Sequence, residues 1–183
     1  MEKQKPVDIQ KFLDAVADKE SSGGKNVNHP TINRGIASGT KASGDYGITK
    51  PTADEMLERG DKPEYDYLYD ATDKDLANIF KQYKNIPEAI KGQHDPEKYL
   101  AETLAKHLAN KHNNDVEHMA AGWNYGHNMP TKSLDKVMNR NQDLKDYADF
   151  VKKAYEDRMS SVQPEENILD KLIKPTVNVA GDE

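Results

Sequence analysis

Apolar residues recur along this chain with helical spacing. Ile9, Phe12, Leu13 and Val16 fall at i, i+3, i+4 and i+7, the stripe of an amphipathic helix, with Asp8 placed to cap its start. Ala53, Met56 and Leu57 make a shorter stripe that opens at Pro51 and closes near Gly60, proline being suited to a first helical turn. A Tyr-rich connector runs from Asp61 to Tyr69. Thr72 and Asp75 have the spacing of a capping box ahead of Leu76, Ile79, Phe80 and Tyr83, and Pro87 marks the end of that helix. Asp95-Pro96-Glu97 starts another, which carries Leu100, Leu104, His107 and Leu108. Asp115 starts a helix with Met119, Ala120 and Trp123, closed near Gly126. From Ser133 to about Met159 the pattern continues through Leu134, Val137 and Met138, then Leu144, Tyr147, Val151 and Tyr155. The Asn-rich stretch between those two sets reads as a kink or a loop.

Two regions lack this pattern. Ser21 to Lys50 holds more than half of the eleven glycines, with many Ser, Thr and Asn residues. It reads as a long ordered loop or a small β excursion, and a loop of about 30 residues inside a compact domain usually carries function. From Ser160 the stripe thins, although Ile168, Leu169, Leu172 and Ile173 have the spacing of one short helix. The expectation is a mainly α domain over residues 1–159, followed by a tail over 160–183 that is flexible or one short helix.

Composition narrows the function. A chain of 183 residues suits a single domain and can bury about two thirds of its unfolded surface. With 32% charged residues and a mean hydropathy of −0.98, no stretch approaches the roughly 18 apolar residues of a membrane span. Membrane insertion is not expected. The net charge of −6 disfavours nucleic acid or anionic lipid as partners bound through bulk charge. Cysteine is absent, which excludes thiol chemistry and disulfides. The first residues, MEKQKPVDIQKF, have neither the apolar region nor the cleavage pattern of a secretory signal. His107, His112 and His118 are five and six residues apart, off the i, i+4 register of a helical metal pair, and no His-Glu-x-x-His occurs. They read as solvated helix histidines, and neither a metal nor another cofactor is expected.

One carboxylate falls on the apolar stripe. Projected at roughly 100° per residue, Glu20 lies within about 20° of Ile9, whereas Asp14, Asp18 and Lys19 point elsewhere. An acid there is desolvated, which favours its neutral form, the form a general acid needs. The alternative is a last-turn glutamate leaning out to solvent. Around it the chain reads Glu20-Ser21-Ser22-Gly23-Gly24. Later come Gly44-Asp45-Tyr46-Gly47-Ile48 with Pro51-Thr52-Ala53, and then Ala120-Ala121-Gly122-Trp123-Asn124-Tyr125-Gly126. This ordered set resembles the SLT-type lytic transglycosylases of the lysozyme-like superfamily. In that family a Glu-Ser ends a helix, a Gly-x-Tyr-Gly-Leu-Met-Gln segment follows, and an Ala-Tyr-Asn-x-Gly segment closes the cleft. The likeness covers about residues 9 to 157. Asn28-His29-Pro30, Gly35 and Gly44-Asp45-Tyr46-Gly47 look most like members carried in the virions of tailed bacteriophages.

The resemblance implies a lysozyme-like helical fold and a set of roles. Glu20 would be the catalytic acid/base, and Ser21 would orient substrate or the carboxylate. Tyr46 and Gly47 would line the floor of the cleft, with Ile48 behind them. Asn124 would hydrogen-bond near the scissile sugar, and Trp123 stands where the family has its aromatic. The family's late tyrosine near the carboxylate falls on Tyr147, or in another register on Phe150. Trp123, Tyr125 and Tyr46 can stack on sugar rings, and Asn26, Asn28, His29 and Asn124 can bond their substituents; Trp123, beside Met119 and Ala120, equally suits packing. In one respect the chain departs from the family: Ile48-Thr49-Lys50 precedes Pro51, so the glutamine of the second motif is missing.

The reaction implied is cleavage of the β-1,4 bond after N-acetylmuramic acid in peptidoglycan glycan strands. One glutamate protonates the leaving oxygen, then takes the proton of the sugar's own 6-hydroxyl as a 1,6-anhydro ring closes. A two-carboxylate glycosidase would need a second acid, and Asp45 is the candidate, with a turn aspartate as its plainer reading. The alternatives are therefore a water-using muramidase and a non-catalytic virion structural or wall-binding module. The implied setting is a phage virion acting on the host wall in the periplasm, with the tail meeting other virion proteins.

Overall fold

The computed structural model describes residues 5–22, 40–87 and 94–161. Among them are seven α-helices: α1 (Ile9–Ser21), α2 (Lys50–Gly60), α3 (Asp73–Lys84), α4 (Pro96–Lys111), α5 (Val116–Tyr125), α6 (Thr131–Met138) and α7 (Gln142–Ser160). The Tyr-rich connector contains a 3-10 helix, Pro63–Leu68. The protein is mainly α, as its apolar periodicity requires.

The helix starts follow from local chemistry. The first amides of a helix have no intrahelical acceptor, and a short polar side chain at the N-cap supplies one. Asp8 accepts from the Lys11 N–H at 3.1 Å, Asp95 from Glu97 and Lys98, Asp115 from His118, and Asn141 from Leu144. Thr72 and Asp75 make the complete capping box. Asn139 to Asn141 separates α6 from α7, so the Asn-rich stretch is a break with its own cap rather than a kink.

The core forms around α1, α4, α5 and α7. Phe12, Leu13 and Val16 of α1 are fully buried, as are Leu100 and Leu108 of α4, Met119 of α5 and Val151 of α7. Each such side chain contributes about 1.5–3 kcal/mol by leaving water. An Arg158–Asp18 ion pair and a hydrogen bond from the Asp8 N–H to Tyr155 Oη tie α7 to α1.

In the region with no helical pattern, Ser43 and Ile48 form an isolated β-bridge. They exchange both backbone hydrogen bonds, at 2.8 and 2.9 Å, closing a turn over Gly44–Gly47. Residues 23–39, including Asn26, Asn28 and His29, and the proposed tail helix at Ile168–Ile173 lie outside the described residues. No helix among the described residues is long and apolar enough to cross a membrane.

The histidines differ from the expectation of solvated side chains. His112 is buried, its Nδ1 sharing a hydrogen bond with Thr131 Oγ1 at 2.8 Å, and burial pulls its pKa down to about 4. His118 is partly buried and bridges Asp115 and Asp135. His107 lies edge-on to His127. Sequence spacing shows whether two residues share a helix face, but not whether another helix covers it. Helix α6 lies against this one, its Thr131 meeting His112 and its Asp135 meeting His118.

Candidate active site

Glu20 occupies the last turn of α1, where the helix ends because Ser22 turns left-handed at φ 52°. Its side chain is half-buried. From α7, Tyr147 donates its hydroxyl to Glu20 Oε1 at 2.6 Å. Tyr147 is buried, and burial together with the facing Glu20 carboxylate pushes its phenol well above the ordinary range. It therefore remains a hydrogen-bond donor at any physiological pH.

The second oxygen of Glu20 faces the Gly44–Gly47 turn. Gly47 has φ +65°, and a Cβ built there would sit 2.8 Å from Oε2. Glycine is needed both for the left-handed backbone and for the close approach. With no side chain at Gly47, the turn approaches this flank of the carboxyl with its backbone. Glu20 thus lies between a phenol from α7 and the Gly47 backbone of the turn.

The turn is held from behind. Gly44, at φ +76°, has no Cβ because one would lie 2.2 Å from Glu97 Oε1. That oxygen accepts the Tyr46 N–H at 2.9 Å. On the other side, Trp123 Nε1 donates to the Tyr46 carbonyl at 3.1 Å, while its ring packs edge-on against Phe12 of α1 at 5.9 Å between centroids. Tyr46 is thus held at both backbone polar groups. Its phenol is raised in pKa by burial first, then by Glu97, Asp14 and Asp45.

Glu97 has no role in the sequence reading, which treats it only as part of a helix start. It is 7% exposed. Burial pushes its carboxyl up to about 8, with the Asp45 and Asp95 charges adding to the effect, against the opposing pull of the Tyr46 and Asp45 N–H groups. At neutral pH it is mostly a neutral acid, unusual for a first-turn glutamate near a helix N-terminus.

The other candidate residues are distributed unevenly. Ser21 is fully buried and its hydroxyl donates to the Ala17 carbonyl, so it packs behind the carboxylate and offers no surface to a substrate. Ile48 is buried behind the turn, as expected. Asp45 is bound to Lys84 Nζ at 2.8 Å and borders a cleft on the Glu97 side of the turn, lined also by Phe80 and Lys98 and not by Glu20. Trp123 is partly buried and committed to Phe12 and Tyr46, a latch rather than an open platform. Asn124 and Tyr125 are exposed at the end of α5. The segment after them is pinned to α2, where Glu55 accepts from Asn128 Nδ2 and pairs with His127 Nε2 at 2.6 Å. Phe150, the alternative to Tyr147, is 43% exposed beneath Lys19.

Among the described residues no group of three or more His, Asp and Glu side chains has the arrangement of a metal site. The Glu20 cluster has the parts of a proton-transfer site: a carboxyl bonded by a neutral donor at one oxygen, with the Gly47 backbone beside the other. Comparisons of the chain with protein-family models, curated proteins and solved structures returned no match.

Proposed function

We propose that this chain is a peptidoglycan lytic transglycosylase of lysozyme-like fold, with Glu20 as its single acid/base. The observation that carries the reading is the meeting of Tyr147, Glu20 and Gly47, far apart in sequence, around one half-buried carboxyl. With the Tyr147 hydroxyl bonded to Oε1, the proton to be transferred belongs on Oε2, the oxygen beside Gly47. Glu20 delivers that proton to the glycosidic oxygen after N-acetylmuramic acid, and the C1–O bond breaks. The carboxylate then takes the proton of the same sugar's 6-hydroxyl, whose oxygen bonds to C1 and leaves a 1,6-anhydro end. No water and no second carboxylate enter the balance.

Asp45 favours this route over hydrolysis, because its carboxylate is engaged by Lys84. Asn124 and Tyr125, exposed beside the latch residue Trp123, are the positions from which a glycan strand would be gripped. The setting proposed is a phage particle acting locally on the host wall, where a net charge of −6 is no handicap to a tethered enzyme.

The experiment is mass spectrometry of muropeptides released from purified sacculi by the wild type and by Glu20→Gln. Anhydro-ended products are expected from the wild type, with release by the variant lower by about 10²–10⁴-fold. Reducing ends would establish a hydrolase, no release from the wild type would leave a binding module, and equal release by the two proteins would remove Glu20 from the chemistry.

A further inference from the structure

The Gly44–Gly47 turn has little structure of its own. It is closed by one isolated bridge between Ser43 and Ile48, and two of its residues take left-handed backbone angles. A turn of this kind keeps one shape only if the groups around it over-determine that shape. Two do so. Trp123 holds the Tyr46 carbonyl from the core side. Glu97 holds the Tyr46 N–H from the other, in the space that a side chain on Gly44 would fill.

We propose that Glu97 is a positioning residue for the Glu20 site: seated under Gly44 and accepting the Tyr46 N–H, it holds the turn in the shape that sets Gly47 against the Glu20 carboxylate. The inference rests on the transglycosylase reading only for its effect on turnover; its structural content is independent of that reading.

The surroundings make the protonated carboxyl the form that fits. Asp45 and Tyr46 face Glu97 from the turn, Asp95 and Lys98 from the start of α4, and Lys84 from α3 with its ammonium already engaged by Asp45. From α1 the neutral Gln10 borders the same cleft of about 220 Å³, and Asp14 of that helix faces Tyr46. The balance of these groups is acidic. An ionised Glu97 would therefore be desolvated and set among like charges, and it would relieve both by drawing away from the turn or admitting water beneath it.

The chain contains one tryptophan, and it is bonded to the carbonyl of the residue whose N–H Glu97 accepts, so Trp123 emission reports the turn directly. In the full-length wild type, emission followed from about pH 6 to about pH 10 is expected to change with a midpoint of about 8. In Glu97→Gln, which keeps the acceptor and cannot ionise, the change is expected to vanish. A flat wild-type curve, or the same transition in the variant, would overturn the proposal. Should Glu97→Gln not fold, NMR of the wild type decides: the Glu97 carboxyl and the Tyr46 amide must titrate together, and separate midpoints would overturn it. For the reaction, Glu97→Ala is expected to lower muropeptide release at least about 10-fold at neutral pH, by misplacement of a reacting group. Glu97→Gln is expected to restore most of it, whereas undiminished release by the alanine variant would remove the positioning role. If the wild type releases nothing, the reaction reading fails, while fluorescence and NMR still decide what Glu97 does to the turn.

Discussion

Glu20 is held from two sides by different means. On the α1–α7 side the support is regular structure: Tyr147 projects from a 19-residue helix whose Leu144, Ala148 and Val151 are buried beside it, so the phenol's place is set by helix packing. On the Gly44–Gly47 side the support is a turn with one β-bridge, two glycines in left-handed conformations and a pair of polar contacts from Glu97 and Trp123. Packed helices resist displacement because each shift forfeits many apolar contacts at once. The turn depends on a few directional bonds, and one of its anchors is titratable. The helical side should be insensitive to pH and tolerant of single changes; the turn should be neither.

The largest consequence of this difference is in stability against pH. The Glu97 carboxyl titrates at about 8 in the fold and at 4.5 in the unfolded chain. Across that interval the folded protein keeps a proton the unfolded chain has released. The stabilisation is complete below about pH 4.5 and is lost progressively as pH rises toward 8. Relative to Glu97→Gln, the wild type is expected to lose about 3–5 kcal/mol between those limits. Denaturant titrations of both proteins at the two pH values would measure it. Parallel behaviour would mean that the turn side is no more titratable than the helical side.

Gly47→Ala tests how tightly the turn is packed against the carboxyl. The added methyl would stand 2.8 Å from Glu20 Oε2, on a backbone at φ +65°. The expected cost is about 1–3 kcal/mol in stability, and turnover on sacculi is expected to fall about 100-fold as the carboxyl is displaced. Wild-type turnover in this variant would show that the flank beside Gly47 is not where the reacting bond lies.

How much of this was legible in the sequence depends on the range of the forces involved. The helix starts were readable because caps act over three residues: Asp8, Asp95, Asp115 and the Thr72–Asp75 pair each do what their spacing implies. Glu20 was readable because helical geometry alone puts it on the apolar face. Tyr147 was reached through the family resemblance, since periodicity makes it only one core position between Leu144 and Val151. Glu97 was not legible. Its local signal, an acid in the first turn after Asp-Pro, is that of a solvated residue complementing a helix terminus, and the Gly44 cavity that buries it lies some fifty residues away. The same gap misread His112, buried against a neighbouring helix, and left Trp123 open between packing and sugar stacking, which its N–H bond to Tyr46 and its contact with Phe12 decide for packing.

On the helical side, Tyr147→Phe removes one hydroxyl and leaves the ring in its packing. A smaller effect is expected than at Gly47: about a 10-fold loss of turnover, equivalent to about 1.4 kcal/mol of lost orientation, with a thermal transition close to that of the wild type. A loss as large as that of Gly47→Ala would mean that the phenol takes part in proton transfer itself, and the contrast between a passive helical side and a sensitive turn would have to be redrawn.

The smallest effect belongs to the outer face of the turn. Asp45 and Lys84 pair at 2.8 Å with roughly a third of each side chain exposed, and ion pairs of that exposure are worth about 0.2–1 kcal/mol. Asp45→Asn is expected to change stability by less than that and to leave both the rate and the anhydro ends of released muropeptides unaltered, because the carboxylate is directed at Lys84. The product spectrum is the sharper readout. If the variant were inactive, or if the wild type formed reducing ends that Asp45→Asn could not, the turn would be contributing a base for water as well as a backbone surface, and the reaction would be a two-carboxylate hydrolysis.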